Sequence, residues 1–164
     1  MKKIISIILI LAVPALLPAK AETPVKPVLT LSAAKRAVEA AAKEAARRGA
    51  TVVIAVVDDG GHLILLERLD DTQVASVEVG IGKARTAAIF RRPSKEFEDQ
   101  IREGRVAALA LPGATPLQGG IPIIIDGKVV GAIGVSGNTP QEDEEIAIAG
   151  ASAISDKTTS GDIQ

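Results

Sequence analysis

Residues 51–68 read TVVIAVVDDGGHLILLER, and this stretch decides the fold. Its first seven residues, 51–57, are dominated by β-branched side chains and apolar on both faces, the pattern of a buried strand. Asp58-Asp59-Gly60-Gly61 is a hairpin turn, because Asp-Gly and Gly-Gly reach positive φ at little cost. Residues 62–68 are the returning strand, with His62 at its mouth. A second stretch, IPIIIDGKVVGAIGV over residues 121–135, repeats the design, with Asp126-Gly127 as a two-residue turn. Pro122 places its strand at an edge or an end. Hairpins force antiparallel pairing. The alternating strand–helix–strand order of a dinucleotide-binding domain is absent.

Helical patterns flank the hairpins. Thr30 or Ser32 caps a helix over residues 33–48, with Ala34, Ala37, Val38, Ala41 and Ala45 on one face and Gly49 as its stop. After the first hairpin, Asp70 or Asp71 caps a helix whose face is Val74, Val77, Ile81, Ala84 and Ala88. Gly80 and Gly82 lie inside it, each at a cost of about 1 kcal/mol relative to alanine. They imply the close approach of a flat ligand or of another backbone, as in tight helix–sheet packing. Ser94 caps a short polar helix over 95–104. Residues 106–111 are a short apolar segment, read as the fifth strand of the sheet or as a loop. Residues 112–120, PGATPLQGG, form a loop. Thr139-Pro140 opens a last helix that runs to about Ile154, with acids in its first turn. The expected architecture is α+β, one antiparallel sheet of about five strands covered by helices.

The ends read differently. Residues 1–21, MKKIISIILILAVPALLPAKA, have the basic start, apolar middle and small-x-small finish of a secretory signal peptide. The apolar run is shorter than the roughly 20 residues that span a bilayer, and Pro14 interrupts it. Cleavage after Ala21 leaves no membrane anchor and a periplasmic or secreted protein of about 140 residues, enough for one domain. Residues 22–29 read as a linker, 30–154 as the domain and 155–164 as a disordered tail.

Composition narrows the chemistry. The 164 residues include no Cys, Trp or Tyr, one His and two Phe. Disulfides, zinc knuckles and thiolate nucleophiles are excluded. So is an aromatic platform for nucleic acid. The formal net charge is −1, and three of the 19 basic residues (Lys2, Lys3 and Lys20) lie in the leader. No phosphate-binding field remains, so nucleic acid is not an expected partner. Secretion without disulfides is feasible at this size, because about two-thirds of the unfolded surface is buried.

Three blocks, DDGGHLILLER, GKARTA and PGATPLQGGIPIIIDGKVVGAIGVSGNTPQEDEEIA, occur in order over most of residues 29–154. Together they resemble the GlcG/HbpS family, the haem-degrading or DUF336 domain related to the C-terminal domain of PduO-type proteins. The resemblance implies a five-stranded antiparallel sheet flanked by helices in profilin-like α-β-α layers. It also implies homo-oligomers, from dimers to octamers, and in some members haem binding. The first helix, where some haem-binding relatives carry a ligand histidine, has none here.

Four groups of residues can carry chemistry. His62 is the one strong axial ligand for a haem iron. It is equally able to be a turn residue bonded to Asp58 or Asp59. Weak oxygen ligation by Thr86 or Thr115 is the alternative open to haem. Lys83 and Arg85, with Thr86, can hold propionates or another carboxylate, Arg as a fork and Lys as a point charge; the other reading is a solvated or intersubunit face. Gly113, Gly119 and Gly120 free backbone amides for an anion, and Gln118 adds a donor and an acceptor; the other reading is a rigid connector. Glu142-Asp143-Glu144-Glu145 is a surface cation site or, more simply, a helix N-terminus. Three functions follow: a small-molecule binding protein for haem or a related tetrapyrrole, an enzyme acting on haem or a small carboxylate, and a non-catalytic oligomeric accessory protein.

Overall fold

Both hairpins form. The structure is a computed structural model and describes residues 25–155. The leader, the start of the linker and residues 156–164 of the tail lie outside the described residues. The elements are α1 (Leu31–Arg48), β1 (Val53–Asp58), β2 (Leu63–Arg68), α2 (Ser76–Phe90), α3 (Lys95–Arg102), a 3-10 helix (Val106–Ala110), β3 (Gly120–Ile125), β4 (Lys128–Ser136) and α4 (Pro140–Ser152). The strands order as β2-β1-β4-β3, and every neighbouring pair is antiparallel. Among the described residues, no helix is long and apolar enough to cross a membrane.

Among the described residues the sheet has four strands, not five. The segment expected to be the fifth, residues 106–111, is a 3-10 helix in which only Ala108 is buried. The run VAALA carries three alanines and one β-branched residue, so it has little strand preference. Val106 and Leu109 point to solvent. With neither face covered, no strand forms.

Two cores lie on the two faces of the sheet. On one, Ile54 and Val56 of β1, Ile123 of β3 and Ile133 and Val135 of β4 pack against the alanine stripe of α1 and against Ile146, Ala147 and Ala151 of α4. On the other, Val57 and Ala132 pack under Ala84, Ala87 and Ala88 of α2. The second interface is built from small residues, and α2 therefore sits very close to the sheet. A Cβ on Gly134 would overlap the Gly80 carbonyl oxygen and lie 2.5 Å from the Ala84 nitrogen. Gly80 itself faces Val53, and Gly82 faces Thr115. The interior glycines of α2 thus serve helix–sheet and helix–loop packing, with protein atoms where a flat ligand would have to lie.

Local signals mostly hold. Thr30 Oγ1 caps α1 by accepting from the Ala33 N–H at 3.2 Å, and Gly49 ends it at φ +66°. Asp126 and Gly127 both take positive φ in the β3–β4 turn. Pro122 falls on an edge strand. Neither Asp70 nor Asp71 caps α2, which starts at Ser76 behind Ala75 with no side-chain cap. Asp71 adopts φ +62°, outside the extended region that a capping residue needs. Ser94 does not cap α3 either; its hydroxyl is used elsewhere.

Gly134→Ala forces α2 off the sheet. We expect a loss of about 1–3 kcal/mol or more in unfolding free energy, the cost of overpacking a closed interface, read by urea denaturation. An unchanged midpoint would show that the interface has slack.

Candidate functional site

The residues singled out by sequence separate onto the two sides of α2. Lys83 and Thr86 point inward; Arg85 and Ile89 point outward.

The inner group is a buried polar block under the 112–120 loop. Lys83 Nζ donates to Asp143 Oδ2 at 2.8 Å and to the Val135 carbonyl at 2.9 Å, with both side chains almost fully buried. Asp143 Oδ1 accepts from the Asn138 N–H at 3.0 Å. One ion pair thereby joins α2, the end of β4 and the first turn of α4. Burial pushes the Asp143 carboxyl above the usual carboxylate range, against the opposing pull of Lys83 and of the Asn138 and Gly137 N–H groups. Gly119, at φ +121°, lies flat against this pair; a Cβ there would stand 3.0 Å from Lys83 Nζ and 2.9 Å from the Val135 oxygen. Gly120 presses on the Lys83 backbone in the same way.

The rest of the loop is pinned at three points. Thr86 Oγ1 donates to the Gly82 carbonyl at 2.8 Å and accepts from the Thr115 N–H at 2.7 Å. Ser94 Oγ donates to the Leu117 carbonyl at 2.5 Å and accepts from the Gly120 N–H at 2.8 Å. Gln118 donates its backbone N–H to Glu98 and its side-chain amide to Glu144, both at 2.6 Å. Gln118 Oε1 is buried without a partner among the described residues. The acidic run of α4 is distributed among neighbours: Glu142 bonds Thr139, Asp143 bonds Lys83, Glu144 bonds Gln118 and Glu145 pairs with Arg48. Among the described residues, no group of three or more His, Asp or Glu side chains is placed to hold a metal ion.

The outer group is a surface formed by the β1–β2 turn, the exposed face of α2 and residue 113 of the loop. Arg85 Nε donates to the Gly61 carbonyl at 3.2 Å. A Cβ on Gly61 would lie 3.1 Å from Ile89 Cγ2, and one on Gly113 would lie 3.3 Å from Ile89 Cδ1. The His62 ring rests over Gly60, where an added Cβ would meet Cδ2 at 3.1 Å. Asp58 Oδ1 does not bond the ring. It accepts from the backbone N–H groups of Gly60 at 2.9 Å and His62 at 2.8 Å. The imidazole is exposed and makes no hydrogen bond among the described residues. Gly61 and Gly113 thus both meet Ile89, Arg85 holds the Gly61 carbonyl and His62 follows Gly61 in the turn, while Lys83, Thr86, Gln118, Gly119 and Gly120 lie on the inner side.

The model of a family described as "Haem degrading protein HbpS-like" matches residues 29–152. The chain belongs to the HbpS-like family. Protein GlcG of Escherichia coli (strain K12) is 40% identical over 111 residues, 68% of this chain and 83% of that protein. A crystal structure of a double mutant of Streptomyces reticuli HbpS superimposes with a TM-score of 0.75 at 32% identity, over 87% of this chain and 100% of that one. A crystal structure of a PduOC:heme complex matches with a TM-score of 0.71 at 25% identity, over 78% and 96%.

Sequence reasoning weighed Asp143 only within an acidic run, and Ser94 only as a cap. The signal for Asp143 was its place three and four residues before Ile146 and Ala147, on the apolar stripe of α4. Ile89 carried no signal, because its importance arises from the turn and loop brought against it.

Removing one partner of the inner pair tests its role. Lys83→Met leaves a buried carboxylate unpaired and should cost about 3–5 kcal/mol, much of it recovered in Lys83→Met/Asp143→Leu. The pH dependence has a defined sign. A carboxyl whose folded pKa exceeds its unfolded value binds its proton more tightly when folded. Its contribution to stability therefore increases as pH falls from above the folded pKa towards the ordinary carboxylate range. The deficit of Lys83→Met should accordingly shrink on acidification, followed by urea titration between neutral pH and pH ~4. A deficit that grows in acid would refute this assignment.

Proposed function

We propose that the protein is a secreted or periplasmic homo-oligomer that binds haem or a related tetrapyrrole on the surface around Ile89. The observation that carries this reading is His62. It is the one histidine of the chain, its ring is exposed and unpartnered among the described residues, and it directly follows Gly61, whose carbonyl accepts from Arg85. Family membership and the likeness to a PduOC:heme complex support a haem-related ligand. The signal-peptide pattern of residues 1–21 supports export.

The residues fit the group. A neutral imidazole nitrogen of His62 is a good ligand for haem iron. The Arg85 guanidinium suits a propionate carboxylate, and its Nε bond to Gly61 anchors it beside the His62 turn. Ile89 adds an apolar contact for the macrocycle, and Leu63, 48% exposed, follows His62 directly. When bound, haem would supply a redox-active iron. His62 would supply a nitrogen ligand to the iron, and Arg85 would neutralise an acid of the macrocycle. A second reading, haem degradation, is supported by the description of the matching family.

Hemin titration of the purified protein tests this. Saturation near one haem per protomer at micromolar concentration is expected, with a Soret band that shifts in His62→Ala and affinity reduced by about tenfold or more. Arg85→Ala should weaken binding by a smaller factor and leave the band position unchanged. Failure to saturate would overturn the reading. An unchanged spectrum in His62→Ala would keep haem and remove His62 as its ligand. Loss of the Soret band with a reductant and oxygen would favour degradation.

A further inference from the structure

The two edges of the sheet are treated differently. Edge β3 is protected. It contains Pro122, its Ile124 N–H is bonded to Ser155 Oγ at 3.2 Å, its Gly120 N–H is bonded to Ser94, and both α2 and α4 pack against it. Edge β2, Leu63–Arg68, has no proline, lysine or glycine. Natural sheets blunt exposed edges with such residues or cover them, since an open edge is a template for another strand. The bulge opposite Val56 and Val57 lies at one end of β2 and leaves Leu65 to Arg68 in regular register.

The outer side of β2 also has the shape and chemistry to receive a strand. The Leu69 N–H donates back to the Val52 carbonyl at 3.1 Å. By alternation, Glu67 and Leu65 face β1, and Leu66 and Arg68 turn their backbone groups outward. Beside the strand, between it and α1, runs an open groove of about 510 Å³. Val38, Ala42, Ala46 and Leu65 line its apolar part, with Lys35 and Glu67 among its charged residues. Neither Lys35 nor Glu67 has an ion-pair partner among the described residues. So open a groove suits a length of chain better than an enclosed small molecule.

We infer that β2 pairs antiparallel with β2 of a second copy, continuing the sheet across a two-fold axis. This rests on the homo-oligomer part of the proposed function and names the surface that serves it. Two conditions set the register. Residues that face each other must share a face of the sheet, and hydrogen-bonded pairs must be residues whose backbone groups point outward. Ile64, Leu66 and Arg68 opposite themselves each meet both, and Leu66 gives the longest overlap of the two strands. Leu65 then faces Glu67 of the second copy, which brings that carboxylate to the groove that holds the unpaired Lys35. The strand required at this edge is apolar at its centre with an acid one residue beyond, and β2 itself has that sequence. A two-fold arrangement also closes, leaving no further edge of this kind exposed.

The absence of cysteine makes the test direct. In the predicted register Leu66→Cys stands opposite itself at a Cα separation of about 5.5 Å, within disulfide reach. Oxidation of Leu66→Cys should give a covalent dimer on non-reducing gels. Leu109→Cys, exposed on the 3-10 helix, should not. Leu66→Lys should weaken association by about tenfold or more in analytical ultracentrifugation, with a wild-type circular dichroism spectrum. If Leu66→Lys fails to fold, the cysteine pair decides alone. An oligomeric wild type whose Leu66→Cys cross-links no better than Leu109→Cys overturns this surface and leaves the oligomer reading standing. A wild type that stays monomeric at high micromolar concentration overturns both, while hemin titration still judges the haem reading separately.

Discussion

Helix α2 lies so close to β4 that Gly134 has no room for a methyl group, and the rest of the molecule is arranged by that approach. Contact at this range needs small residues on both sides. The sheet offers Ala132 and Gly134, and the helix offers Gly80, Ala84, Ala87 and Ala88. Such residues bury little apolar area each, so this interface gains less from the hydrophobic effect than the Ile- and Val-rich face beneath α1 and α4. What it gains instead is position. A helix held at backbone contact cannot slide or tilt far, and every side chain it carries is placed to within a small tolerance.

The buried polar block follows from that placement. Lys83 can reach both Asp143 and the Val135 carbonyl only because α2 crosses the end of β4 at short range. A buried ion pair adds little net stability compared with an apolar pair of the same shape, because taking two charges out of water offsets their attraction. It does exclude alternatives: an α4 shifted by one turn would leave an ammonium unpaired in the interior. Thr86, Ser94 and Gln118 act similarly on the 112–120 loop, each matching a side chain to a particular backbone group. The loop's glycines serve the same purpose, since Gly119 and Gly120 lie where any Cβ would strike the Lys83–Asp143 pair or the backbone around it.

The parts of this design legible in the sequence were those set by local chemistry. The hairpins were readable from Asp-Gly and Gly-Gly turns flanked by β-branched runs, and α1 and α4 from Thr30, Thr139-Pro140 and periodic apolar residues. The fifth strand was misread at residues 106–111, because a short apolar run does not reveal whether any face will be covered. The start of α2 was misread because Asp71 is a good cap by type and an impossible one at positive φ. The glycine loop was legible as special, but its residues serve protein contacts that depend on elements 20 to 30 positions away, such as Thr86 with Thr115 and Ser94 with Gly120. The division of the KART block was present all along in helical spacing. Residues 83 and 86 lie on one face of α2, and 85 and 89 on the other.

That division explains how a rigid interior serves the outer surface. Arg85 and Ile89 project from the helix that Gly134 and Lys83 hold in place. Gly61 abuts the side chains of both Arg85 and Ile89, and Gly113 abuts Ile89, so the turn carrying His62 and the loop are referenced to the same helix. The imidazole is left without a hydrogen bond while Asp58 holds the backbone beneath it, so the ring is presented by a fixed turn but not itself occupied. On the proposed reading, a flat ligand settling here would cost little backbone freedom and would require only side-chain ordering of His62 and Arg85. The small-residue packing of α2 is therefore upstream of the proposed recognition: loosening it would spread the positions of Arg85 and Ile89 before it unfolded the sheet.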